Sequence, residues 1–184
     1  MTLPRMITRL VLTAHVVTSV GWLGAVMAYL ALDIVASASD NIANVRAAYF
    51  GMGLTIRVVI APLAIASVLI GIVNALTSSW GIFRHYWVVV KLLLSIFATV
   101  ILLLELQTVA YLAELASMNA EPRSLPGSLL HSIGGLVILI MVAVLSVYKP
   151  KGLTPYGWRK QLRLNSGAAQ GADGAAEGSS AASQ

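Results

Sequence analysis

His15, His85 and Lys91 are the residues of this chain with the widest chemical reach. An imidazole nitrogen ligates a metal or haem iron at about 2 Å, which requires two such ligands to sit at similar depth. His15 and His85 fall near the same ends of their apolar runs, whereas His131 falls near the opposite end and should not share an ion with His15. His15, Lys91 and His85 are therefore the candidate cofactor-binding residues, with haem b or a porphyrin as the cofactor they would suit. His85 also reads as an interfacial residue beside Arg84, Tyr86 and Trp87 in an aromatic belt. A bound metal ion is not expected. The chain has no cysteine, and its six methionines are scattered.

A second set of polar residues recurs at helical spacing and should face inward, because a polar stripe in lipid must be hidden. Trp22, Arg57, Asn74, Glu105 and His131 are its members. Lys91 and Glu105 stand about four turns apart, roughly 21 Å along one helix, so they share a face without touching. Glu105 needs a partner, and Arg57 or His131 is expected beside it. Lys91 has an alternative, since its ammonium can extend to the nearby interface. No metalloprotease, phosphate-loop or serine-nucleophile motif is present, and no activity as an enzyme is expected from motifs.

Such residues need long apolar elements to carry them. The chain of 184 residues is 58% hydrophobic and 10% charged, well below the roughly 25% charge of a soluble domain. Four apolar runs, Leu10 to Leu32, Val58 to Leu76, Trp87 to Leu104 and Leu129 to Tyr148, are long enough to cross a bilayer core of about 30 Å. Backbone groups in lipid must pair within their own segment, so each run should be helical. The expectation is an all-α, polytopic four-transmembrane-helix antiparallel bundle, with helices at about 8–36, 55–79, 85–117 and 127–148. Gly51 and Gly53 read as a turn or close packing before the second helix, and Pro62 as a kink within it. A cleaved signal peptide is disfavoured because the first run is too long.

Nine of the twelve basic residues lie at the N-terminus, in the second loop and in the C-terminal tail, and three (Arg46, Arg57 and Arg123) lie on the other side. The positive-inside rule places both termini in the cytoplasm. Basic residues flank apolar runs instead of alternating with aromatics, which argues against nucleic acid as a partner. A basic juxtamembrane segment, 151–164, is positioned to meet anionic lipid head groups, and a tail at 165–184 is too poor in apolar residues to fold.

The segments "LTAHVVTSVGWLGAVMAYLAL", "WGIFRHYWVVVKLLLS" and "VLSVYKPKGLTPYG" resemble an uncharacterised bacterial family of small four-span integral membrane proteins. That resemblance implies the fold and a multi-pass location in a bacterial inner membrane, without an activity. His15 with Trp22 and Gly24, followed by Trp87 and Lys91, is also loosely similar to the pattern in membrane protoporphyrinogen oxidases and copper-resistance protein D. The oxidase resemblance implies haem binding and activity at His15 and Lys91. The expected function is a bundle that binds a small ligand or supports a partner complex. The alternatives are a porphyrin-linked oxidoreductase, and an oligomer, such as a homodimer, that passes protons or small solutes.

Overall fold

The computed structural model describes residues 5–77, 83–118, 125, 128–150, 152–159, 161–162 and 165. The expected tail at 165–184, and Lys151, Lys160, Arg163, Glu121 and Arg123, lie outside the described residues, apart from Asn165. The described chain is all-helical, with α1 (Arg5–Ala38), α2 (Ile42–Thr55), a π-helical turn (Ile56–Ile60), α3 (Ala61–Thr77), α4 (Tyr86–Met118) and α5 (Leu129–Tyr148). Four continuous helices are long and apolar enough to cross a membrane, the second being Ile42–Thr77. Their outer surfaces carry Val17, Leu69, Leu93 and Val137, each at least half exposed. A surface of that kind is stable against acyl chains and not against water.

The first span packs on the second and the fourth, and the third span does the same from the opposite side. This up-and-down order leaves α1 and α4 diagonally opposed, so side chains from both can meet only through the interior. Trp22, Val26, Ile56, Ile60, Ala98 and Leu139 form much of the apolar middle.

The second span departs most from expectation: its helix begins at Ile42 rather than near residue 55. Asn41 caps it, its side chain accepting a hydrogen bond of 2.9 Å from the Ala43 N–H. Val45, Ala48, Tyr49 and Met52 then recur at three- and four-residue intervals and are all buried. Gly51 and Gly53 are within this helix and make no turn. At Gly53 an added Cβ would stand 3.0 Å from that of Ala113, so the glycine lets α2 lie close against α4. At 36 residues, the second span is about 54 Å long and extends well past a 30 Å hydrocarbon core.

The π turn has a sequence cause two residues on. Pro62 has no N–H to donate, and its ring crowds the carbonyl of Val58. Widening the preceding turn, with the Ala61 N–H reaching back to the Ile56 carbonyl, accommodates both.

Beyond α5 the chain returns to the segment that precedes α4. Thr154 donates its hydroxyl to the Phe83 carbonyl and its N–H to the Arg84 carbonyl at 3.1 Å. Tyr86 N–H reaches the Gly152 carbonyl at 3.4 Å, and His85 and Leu153 form an antiparallel bridge. Thr154 also accepts the Gly157 N–H at 3.1 Å, starting one turn of helix over 155–159. Gly157 is required here because any Cβ would run into the Arg84 carbonyl. The stretches "RHYW" and "GLTPYG", far apart in sequence, are thus one packed unit.

Candidate functional site

Two polar clusters lie at opposite ends of the bundle, separated by the apolar layer around Trp22, which is 3% exposed. The cluster at the end of the bundle where α1 starts and α5 finishes is a crevice of about 370 Å³. Its walls include His15 of α1, Ser67, Gly71 and Asn74 of α3, Trp87 and Lys91 of α4, and Lys149 just after α5. Lys91 Nζ lies 3.5 Å from His15 Nε2. That separation is at the long limit of a hydrogen bond, and the two groups share the mouth of one space.

His15 is placed by two neighbours on α3. Ser19, one turn along α1, bonds to the Ser67 hydroxyl at 2.8 Å and fixes the approach of the two helices. Gly71 then leaves room for the imidazole to lie on the α3 backbone: an added Cβ would be 2.8 Å from His15 Cε1. Nδ1 is buried and, among the described residues, has no hydrogen-bond partner within ordinary geometry. Lys91 enters from the first turns of α4, and Lys149 from the C-cap of α5. Lys149 has φ 42° and ψ 62°, left-handed values uncommon outside glycine and asparagine. Pro150 follows it and cannot continue the helix, so the turn is made at the lysine itself. No acidic side chain lines this crevice among the described residues.

His85 does not join this group. Its backbone is bridged to Leu153, and it is absent from the crevice walls, so a bis-histidine site shared with His15 is not formed. The reason is local: His85 precedes the first residue of α4 and is held in the packed unit with the C-terminal segment.

The far cluster centres on Asp33, which is 1% exposed. Its Oδ2 accepts hydrogen bonds from Ser128 at 2.9 Å and Ser132 at 2.6 Å, across the start of α5. Tyr29 lies 3.4 Å from the Ser128 hydroxyl. A helix N-terminus carries partial positive charge, which favours the carboxylate there. Next to it is a small cavity of about 80 Å³ lined by Trp22, Tyr29, Glu105, Ser128, His131 and Ser132 among others. Glu105 and His131 pair at 3.5 Å.

Of the residues expected in the interior, Trp22, Glu105 and His131 line this far cavity, while Asn74 lines the crevice. His131 keeps 54% of its side chain exposed. Arg57 needs correction: it is exposed on the π turn, faces the groove beside Gln107, Tyr111 and Glu114, and is not the partner of Glu105. An extra residue in a helical turn shifts every following side chain around the axis, so simple helical spacing misplaces it. Lys149, Ser128 and Ser132 were missed as site residues. A lysine directly before a proline at the end of an apolar run was the signal for the first; nothing in spacing marks the serines.

No protein-family model, curated protein or solved structure matches this chain.

Proposed function

We propose that the chain is a membrane-embedded binding protein whose crevice takes a small organic anion, such as a carboxylate or phosphate ester with an apolar body. The observation carrying this reading is the approach of Lys91 to His15 in a 370 Å³ space that Lys149 also lines. That volume falls within the roughly 300–1,000 Å³ typical of small-molecule pockets. Basic groups and the Asn74 amide would hold the anionic end, and Leu12, Val16, Val68 and Leu92 the apolar part. Positive-inside bias supports a crevice that opens toward the cytoplasm of a bacterial inner membrane. Trp87 lines the wall, so titrating full-length protein in detergent with a panel of such anions should change its fluorescence. Lys91→Gln should weaken the response about tenfold, the loss of one charge-assisted contact. A panel that leaves both proteins unchanged would remove the reading.

Haem or a porphyrin is the second reading, favoured by the meeting of His15 and Lys91 at one depth. Iron ligation does not fit the arrangement as it stands. Lys91 stands at Nε2, Nδ1 is packed beside Gly71, and His85 is elsewhere. The basic lining suits the carboxylates of such a molecule better than His15 suits its metal. A Soret band that appears on haem addition and disappears in His15→Ala would favour ligation after all; colourless protein would count against it. Permeation is supported least, because the two polar clusters are separated by the Trp22 layer.

A further inference from the structure

The cavity of about 80 Å³ near Asp33 has few polar groups in its wall, and the hydrogen bonds behind them fix what each can do. A hydroxyl has one hydrogen to donate. Ser128 and Ser132 both give theirs to Asp33 Oδ2, at 2.9 Å and 2.6 Å, so toward the cavity their oxygens can only accept. With the Ser128 hydrogen engaged, Tyr29 must be the donor in its 3.4 Å contact with that oxygen, and the phenol oxygen keeps its capacity to accept. Glu105 also accepts, and His131 Nε2 approaches one of its oxygens, Oε1, at 3.5 Å. The four oxygen-bearing side chains of this wall therefore all present acceptors.

Charge points the same way. Asp33 is 1% exposed, and among the described residues its Oδ1 has no hydrogen-bond partner within ordinary geometry. The N-terminus of α5 offers it about half a positive charge, which offsets only part of the carboxylate. The remainder acts across a poorly screened interior and favours a cation beside the two serines. Space is held open there as well. Gly135 follows Ser132 by one turn on α5 and lines the same cavity, and a Cβ added to it would meet nothing within 4 Å. Interiors are otherwise close-packed, so this glycine leaves room that an ordinary side chain would fill. Glu105 and His131 line the cavity and are 27% and 54% exposed, which makes their pair its way in.

We propose that this cavity binds a small primary ammonium ion carrying one or two carbons. Such an ion has three N–H donors for the acceptors of Ser128, Ser132 and Glu105, and its carbon end suits the apolar wall of Val26 and Leu139. Trp22, in the same wall, adds an aromatic ring of the kind that attracts cations. Size sets the limit: at roughly 30 Å³ for each water-sized group, the space takes two or three heavy atoms. An alkali metal ion must replace its hydration shell with a ring of oxygens, and most of this wall is carbon, so it should bind less well.

Equilibrium dialysis of the full-length chain in detergent against radiolabelled methylammonium, with protein-free micelles as the blank, tests this. One saturable equivalent per chain is expected, displaced by ethylammonium and not by equal concentrations of sodium, potassium or tetramethylammonium. Gly135→Val, which fills the open space and leaves every charge in place, should expel the ion. Glu105→Gln should weaken it about tenfold, the loss of a charge-assisted contact. Lys91→Gln, at the other end of the bundle, should bind methylammonium as wild type does, which separates this site from the crevice. Absence of saturable binding would overturn the proposal, as would equal binding by wild type and Gly135→Val, or a loss in Lys91→Gln as large as in Glu105→Gln. Displacement by potassium as effective as that by ethylammonium would do so too, because the N–H donors would then contribute nothing.

Discussion

Lys91 of α4 and His15 of α1 belong to diagonally opposed helices, yet their side-chain nitrogens stand 3.5 Å apart. The contact exists because α3 carries Gly71 where the imidazole lies, allowing the ring to reach across the interior. A side chain there would push the ring out of its place.

Gly71→Ala should accordingly be worse than an ordinary helix substitution, although alanine is the better helix former. The new methyl meets His15 Cε1 at 2.8 Å, and overpacking of this kind costs about 1–3 kcal/mol. Thermal unfolding in detergent should show the loss. The double variant Gly71→Ala with His15→Ala should recover most of it. Additive losses would mean that the two residues do not touch.

Asp33 is expected to be the most sensitive polar residue for stability. Asp33→Ala removes the acceptor for two buried hydroxyls, but Ser132 also reaches the Leu129 carbonyl at 3.2 Å, so one donor keeps an alternative. A loss of about 1–3 kcal/mol follows. Asp33→Asn retains an acceptor oxygen and should lose less. Unfolding midpoints of the two variants decide the matter, and equal values would remove the hydrogen bonds from the account.

Arg57 and Glu105 should behave independently. Since Arg57 is exposed and Glu105 pairs with His131, Arg57→Leu should leave the unfolding midpoint nearly unchanged. Glu105→Gln and His131→Gln should be coupled to each other in a double-mutant cycle, with a small interaction energy because His131 is largely exposed. Strong coupling between Arg57 and Glu105 would contradict the placement of the π turn.

Gly157→Ala should detach the C-terminal segment without disturbing the spans. Its methyl would meet the Arg84 carbonyl, a backbone group that has no room to yield. Limited proteolysis should then cut between residues 152 and 159 faster than in wild type, while helix content by circular dichroism stays the same. Thr154→Val, which loses the hydroxyl contacts to Phe83 and Gly157, should have the same direction of effect. Unchanged cleavage in both would mean that this packing does not hold the segment.

Four apolar runs with basic flanks determined an all-helical, membrane-spanning bundle, because lipid forces backbone pairing into each segment and hides polar side chains inside. The same reasoning gave Glu105 either Arg57 or His131 as its neighbour and singled out His15 and Lys91, since intramembrane ionisable groups are few. It misjudged Arg57 and began the second helix too late: a π turn breaks helical spacing, and Gly51 and Gly53, read as a turn or close packing before that helix, lie inside it, where Gly53 packs closely against Ala113. Tertiary structure alone decided that His15 meets Lys91 and not His85, that Asp33 is held by two serines nearly a hundred residues away, and that Lys149 faces the crevice. Those relationships depend on how helices are rotated and seated on one another. Rotation is set by small residues such as Gly53 and Gly71, whose role is visible only when the opposite surface is known.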